Sequence, residues 1–128
     1  MTDEEMMDLM LRFRTAFRNA DREGFLAAAS DDFIWHQNFA NGPEDQPAGT
    51  IIEGIDNMVA EIKRRKAGWA DTSVTDLIER PAGDILVQTF TTKGVDENGK
   101  AFHWNVVDLY TVRDERICKK DTYWKHVK

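Results

Sequence analysis

A chain of 128 residues with 41% hydrophobic and 31% charged side chains has the length of one domain and an ordinary globular composition, which excludes a disordered chain. Its formal charge of −6 and pI near 5.0 repel phosphate backbones and anionic bilayers, arguing against nucleic acid or a membrane surface as partner. The single cysteine, Cys118, leaves no intrachain disulfide and no cysteine-based metal cluster.

Met6, Leu9, Met10, Phe13, Phe17 and Ala20 recur three or four apart and predict an amphipathic helix over 6–20, with Asp8, Arg12, Arg14 and Arg18 opposite. The acidic start MTDEEMMDLM is unlike a secretory leader, and no apolar run reaches membrane-spanning length, so a cytoplasmic location is expected. Asp21 is placed to cap a second, shorter helix through Phe25, Leu26 and Ala29, its carboxylate accepting from first-turn amides, with an end near Ser30. The segment DDFIWHQNF reads as a strand over 32–38, and ANGPEDQPAG as an irregular loop suited to a rim or lid.

A third helix follows over 55–67, with Ile55, Met58, Val59 and Ile62 on one face and Gly68 at its end. The run Lys63 to Lys66 is then favourable charge at the negative pole of that helix rather than a polyanion site. Turn signals PAGD, DENG and RDER separate four strands over 74–80, 85–94, 101–112 and 117–126, an antiparallel meander. The implied fold class is α+β in a single domain over 1–128, helices packed on one face of a sheet.

That order of elements resembles, over essentially the whole length, the SnoaL-like members of the nuclear transport factor 2-like superfamily. Local likeness lies in DDFIWHQN, in the approach to IIEGIDNMVAEI, and in VVDLYTVRDERI. The resemblance implies a cone-shaped, cystatin-like roll: three helices on a curved, mostly antiparallel sheet, enclosing a small-molecule pocket. It also implies a homodimer paired through sheet faces, with which the partly apolar reverse face of the long strand agrees, Val107 and Leu109 lying between His103, Asn105 and Thr111. Glu115 stands where many members carry glycine, which leaves the last hairpin's register open.

Alternation along 101–112 places Phe102, Trp104, Val106, Asp108, Tyr110 and Val112 on one face. Asp108 interrupts an otherwise apolar row. A carboxyl buried there must be partnered, protonated or functional, and burial raises its pKa toward the range of a general base or acid. One reading is a structural pair with a tyrosine, lysine or backbone amide; the other is catalysis, which the resemblance favours because a similarly placed acid faces the pocket in many SnoaL-like proteins.

On the first strand the alternation groups Asp32, Ile34, His36 and Asn38 against Phe33, Trp35 and Gln37, and hydrophobicity leaves the inward group open. Resemblance to limonene epoxide hydrolase-type relatives implies that His36 and Asn38 line the pocket. His36 would then relay a proton or bind a carbonyl oxygen as partner of Asp108, and Asn38 would orient water or substrate. A surface histidine beside a packed Trp35 is the plain alternative.

The last strand offers Lys120, Thr122 and Trp124. A two-residue turn at Asp114 and Glu115 pairs Asp108 with Asp121, whereas a one-residue bulge brings Thr122 opposite and Lys120 nearby, the register the resemblance favours. Trp104, Tyr110 and Trp124 are expected to line one cavity with Trp35, and the loop 41–49 to lie near its mouth.

Zinc spacing, P-loop, dinucleotide fingerprint and nucleophile elbow are all missing from the sequence, and His36, His103 and His126 are scattered, so no metal and no cofactor are expected. An aromatic pocket with few polar groups suits a small, largely apolar ligand carrying a carbonyl or hydroxyl. Two functions follow: a cofactor-free acid–base isomerase, cyclase or dehydratase, or a non-catalytic binding or dimerisation module. Epoxide hydrolysis is disfavoured, because Thr122 occupies the place resembling that family's last-strand acid.

Overall fold

A computed structural model describes residues 1–38 and 49–127. The loop expected over 40–49, and its place at a pocket mouth, lie outside the described residues save for Gly49.

The first helix, α1 (Asp3–Asn19), opens on a reciprocal cap in which Thr2 Oγ1 accepts from the Glu5 amide at 3.1 Å and Glu5 Oε1 accepts from the Thr2 amide at 2.8 Å. Its buried stripe is Met6, Leu9, Met10, Phe13 and Ala16. The second helix, α2 (Arg22–Ala28), starts at Asp21, but the Asp21 carboxylate makes no capping hydrogen bond. The Phe25 amide donates to the Asp21 carbonyl at 3.1 Å, which is the first bond within the helix and leaves the first-turn amides to other partners.

Strand β1 (Ala29–Gln37) follows directly, three residues earlier than the sequence suggests. A short strand absent from the sequence reading, β2 (Thr50–Glu53), pairs antiparallel with β1 and leads through Gly54 into α3 (Ile55–Gly68). The meander is β3 (Ala70–Ala82), β4 (Ile85–Val95), β5 (Ala101–Arg113) and β6 (Arg116–His126), with β3 beginning four residues before the expected Val74.

Among the described residues the sheet has six strands in the order β2-β1-β6-β5-β4-β3, all antiparallel except the β1–β6 pair. The parallel pair is what brings the first strand beside the last. The edge strand β3 carries two irregularities, with Asp71 and Asp76 at positive φ, which break a long edge against unwanted pairing.

The inner face divides into two apolar clusters. One joins α1, α2 and α3 to Phe33, Trp35, Leu86, Tyr110, Val112 and Ile117. The second holds Phe102, Trp104 and Val106, packed against Trp69, Phe90 and Trp124, and contains no helical residue. Among the described residues no helix is long and apolar enough to cross a membrane.

Candidate active site

Asp108 lies between the two clusters. Along β5 the inward side chains run Val112 and Tyr110, then Asp108, then Val106, Trp104 and Phe102, so the carboxyl marks the seam. Strand pairing extends that seam into a polar row across five strands: Gln37 on β1, Thr122 on β6, Asp108 on β5, Gln88 on β4 and Glu79 on β3. The neighbouring row is Trp35, Lys120, Tyr110 and Leu86.

The register that builds these rows comes from one bulge. The turn residues Asp114 and Glu115, both at positive φ, form a two-residue hairpin loop in which Arg113 pairs with Arg116 and Val112 with Ile117. Continued regularly, that ladder sets Asp108 against Asp121. Instead the register shifts between Val112 and Thr111, which pairs with Lys119 and leaves Cys118 as the extra residue, so Asp108 faces Thr122. Turn and bulge, alternatives on the sequence alone, coexist.

Asp108 is 1% exposed. Thr122 Oγ1 donates to its Oδ1 and in turn accepts from Trp35 Nε1 at 2.8 Å. Lys120 Nζ lies 3.9 Å from Oδ2. The Tyr110 hydroxyl donates to Gln88 Oε1 at 2.9 Å and interacts with Asp108 as well; Gln88 Nε2 donates to Glu79 Oε2 at 2.7 Å, and Arg14 of α1 closes the row on Glu79 at 3.1 Å.

Burial dominates the electrostatics. It raises the Asp108 pKa, against the opposing pull of Lys120, Thr122 and Arg65, and it lowers Lys120 to about 8 despite Asp108. The Tyr110 hydroxyl is pushed well up by burial and by the Asp108 and Glu79 carboxyls. Arg65 belongs to the helix-end run Lys63 to Lys66, yet it turns inward: it pairs with Glu61 at 3.1 Å and stacks 4.8 Å from the centroids of both Trp35 and Trp69.

His36 and Asn38 require a correction. Phe33, Trp35 and Gln37 are the buried group of β1, because two aromatic rings remove more apolar area from water than Ile34 does. His36 and Asn38 therefore sit on the opposite side of the strand from Trp35, with Asp121: Asn38 Nδ2 donates to Asp121 Oδ1 at 3.3 Å, and His36 Nδ1 lies 3.6 Å from the same oxygen. The structure does not bring them to Asp108.

Trp35, Trp104, Tyr110, Lys120, Thr122 and Trp124 do share the inner face, in two groups. Tyr110 packs on Phe13 with centroids 5.3 Å apart, while Trp104 stacks between Phe102 and Trp124 at 4.1 and 3.9 Å. Among the described residues, one groove of about 510 Å³ lies between β2 and α3 and another of about 530 Å³ across the outer sheet face; neither is lined by Asp108, Lys120 or Tyr110.

The sequence reading missed Gln37, which is 7% exposed and whose Nε2 has no hydrogen-bond partner among the described residues. The available signal was an amide at the end of the Phe33, Trp35, Gln37 alternation. Gln88 and Glu79 escaped notice because only the pairing of β3, β4 and β5 aligns them with Asp108.

Three helices on an unclosed, mostly antiparallel sheet with a polar seam define a nuclear transport factor 2-like fold. The family model of the SnoaL-like domain matches residues 10–120, and the chain belongs to that family. A search of curated proteins finds no match.

Among solved structures, the chain is similar to a nuclear transport factor 2-like protein from Burkholderia xenovorans (TM-score 0.80, 18% identity, covering 98% of this chain and 92% of that one). It is also similar to an LEH-like epoxide hydrolase from M. tuberculosis (0.65, 18%, 96% and 84%). A third is a protein of ketosteroid isomerase-like fold from Catenulispora acidiphila, solved in complex with trimethylamine (0.67, 16%, 90% and 83%). At these identities the likeness concerns the fold.

Proposed function

We propose that this SnoaL-like domain takes a small, largely apolar carbonyl compound against the Trp104 and Trp124 cluster and moves a proton beside its carbonyl, with Asp108 as the acid–base group and no cofactor. The observation that carries this reading is the placement of one buried carboxyl at the seam where an aromatic cluster without helical residues begins. Burial raises the Asp108 pKa, so the group exchanges its proton closer to neutrality than an exposed aspartate does.

The remaining groups suit that chemistry. Thr122 fixes one Asp108 oxygen and leaves Oδ2 as the working one. Gln37, in the same row, has a buried N–H with no acceptor among the described residues, and such a donor suits a ligand oxygen because a buried amide without a partner costs stability. The ligand-binding module without catalysis is the second reading, favoured by the enclosure of Asp108 among protein partners.

The two are separated by mixing the protein with small cyclic ketones in deuterated water and following α-proton exchange by NMR. We expect exchange in the wild-type protein and a loss of about 10²- to 10⁴-fold in Asp108→Asn at unchanged melting temperature. Full exchange in a folded Asp108→Asn variant overturns the catalytic reading, and saturable binding of a ketone without exchange selects the binding module.

A further inference from the structure

The helix-packed side of the Asp108 seam holds a second reactive group. Lys120 is buried with its side chain 6% exposed, and among the described residues its Nζ makes no hydrogen bond. Its nearest carboxylate oxygen, Asp108 Oδ2, is 3.9 Å away, outside hydrogen-bond reach. The amine instead faces rings: Nζ lies 3.8 Å from the Phe17 centroid, 4.4 Å from Trp35 and 5.7 Å from Tyr110.

A lysine kept for structural charge pairing is expected to close on its carboxylate, because two desolvated charges are stable together only with good geometry and satisfied donors. Here Thr122 takes Oδ1, Tyr110 also interacts with Asp108, and the amine keeps Asp108 at ion-pair distance only, its other close neighbours being aromatic rings. An amine in an apolar, aromatic surround beside a carboxyl and a phenol is the environment that makes lysine a nucleophile toward carbonyl carbon.

We propose that Lys120 is a nucleophilic amine that forms an imine with a small aldehyde or ketone at this seam, an inference that rests on the carbonyl reading of the Asp108 site. The neutral Nζ donates its lone pair to the carbonyl carbon, the C=O π pair moves to oxygen, and that oxygen takes the proton of the Asp108 carboxyl. The carboxylate so formed accepts the proton released from nitrogen, giving the carbinolamine, and returns it to the departing hydroxyl, so amine, carbonyl and carboxylic acid give protonated imine, water and carboxylate with no change of oxidation state. The positively charged imine then acidifies the adjacent C–H for removal by the same carboxylate. Lowering of the Lys120 pKa to about 8 by burial supplies the neutral amine near physiological pH.

The test uses the unmodified protein. Benzaldehyde is added at about pH 8 with sodium borohydride to reduce any imine, and the modified lysine is located by intact mass and peptide mapping. Exposed lysines are almost wholly protonated at that pH, so Lys120 should be modified about tenfold faster than they are, to one equivalent per chain. Pentane-2,4-dione gives an independent readout through the near-ultraviolet absorbance of its lysine enaminone, which Lys120→Arg should lose.

Adducts spread over surface lysines with Lys120 unmodified overturn the inference, even where ketone α-protons exchange through Asp108. A Lys120 adduct without exchange leaves the inference standing and removes the proton-transfer reading instead. Because mapping is done on the wild type, a failure of Lys120→Arg to fold does not blunt the test.

Discussion

Asp108 and Lys120 are each destabilised as ions by the burial that also brings them together. Asp108 is raised and Lys120 lowered to about 8, from 10.5 in the unfolded chain, so both shifts run toward the neutral forms. For Lys120 the consequence has a definite sign. Between about pH 8 and 10.5 the unfolded chain holds a proton that the folded chain has lost, so this site's contribution to stability rises with pH across that window, by at most about 1.4 kcal/mol per pH unit. The groups facing Lys120 work in opposite directions, Asp108 raising its pKa and Arg65 lowering it. Replacing Asp108 by Asn should therefore move the Lys120 midpoint lower still, which a ¹³C NMR titration of the lysine Cε carbons measures directly; a midpoint near that of the exposed lysines contradicts the burial argument. At this scale Asp108 was legible in the sequence, because a lone acid in a row of aromatic and branched residues breaks a period of two. The facing of His36 was not, because β1 offers apolar side chains on both sides and only packing against α1 and α3 selects Phe33 and Trp35.

The elements divide by how local their causes are. Helices and meander strands carry their own signals, three- and four-residue spacing in α1 and α3 and turn residues at each hairpin, and they appear close to where the pattern puts them. Strand β2 carries none: four residues, Thr50–Glu53, become a strand only because β1 is beside them to pair with. The β5–β6 hairpin falls between these cases. Its turn is legible, but the bulge at Cys118 that sets Thr122 and Lys120 beside Asp108 carries no turn residue of its own and is seen only in the strand pairing. That turn holds Glu115 at φ 63° and Asp114 at φ 52°, a left-handed conformation costing a residue with a Cβ about 1–2 kcal/mol. Glu115→Gly should stabilise the protein by about 0.5–1 kcal/mol, the relief being partly offset by the greater freedom of glycine in the unfolded chain. A higher urea midpoint at unchanged slope is the expected result. A lower midpoint means that the Glu115 side chain stabilises the turn by more than the backbone strain costs.

For the molecule as a whole, the outer face of the sheet raises the question of self-association. Ile78, Val107 and Tyr123 are 49%, 39% and 46% exposed and line the groove of about 530 Å³ together with Thr89, Thr91 and Asn105. Apolar side chains gathered in this way on a sheet face gain from being covered. A second copy is the occupant we expect, since a twofold axis lays the patch on itself and needs no other complementary surface. Net charge works against that pairing: two chains of −6 each repel at long range, whereas the contact itself is apolar and short-ranged. The two effects respond oppositely to salt, so association should strengthen as sodium chloride is raised from about 0.02 to 0.3 M, through screening alone. Sedimentation velocity at micromolar concentration should find a dimer in the wild-type protein. Val107→Glu, which sets two carboxylates against each other near the axis, should give a monomer that keeps its melting profile, because position 107 faces away from the core. The same monomer should retain ketone α-proton exchange if the inner-face groups act within one chain. A wild-type monomer at every salt concentration refutes the pairing, and weaker association at high salt replaces the apolar contact with one held by charge.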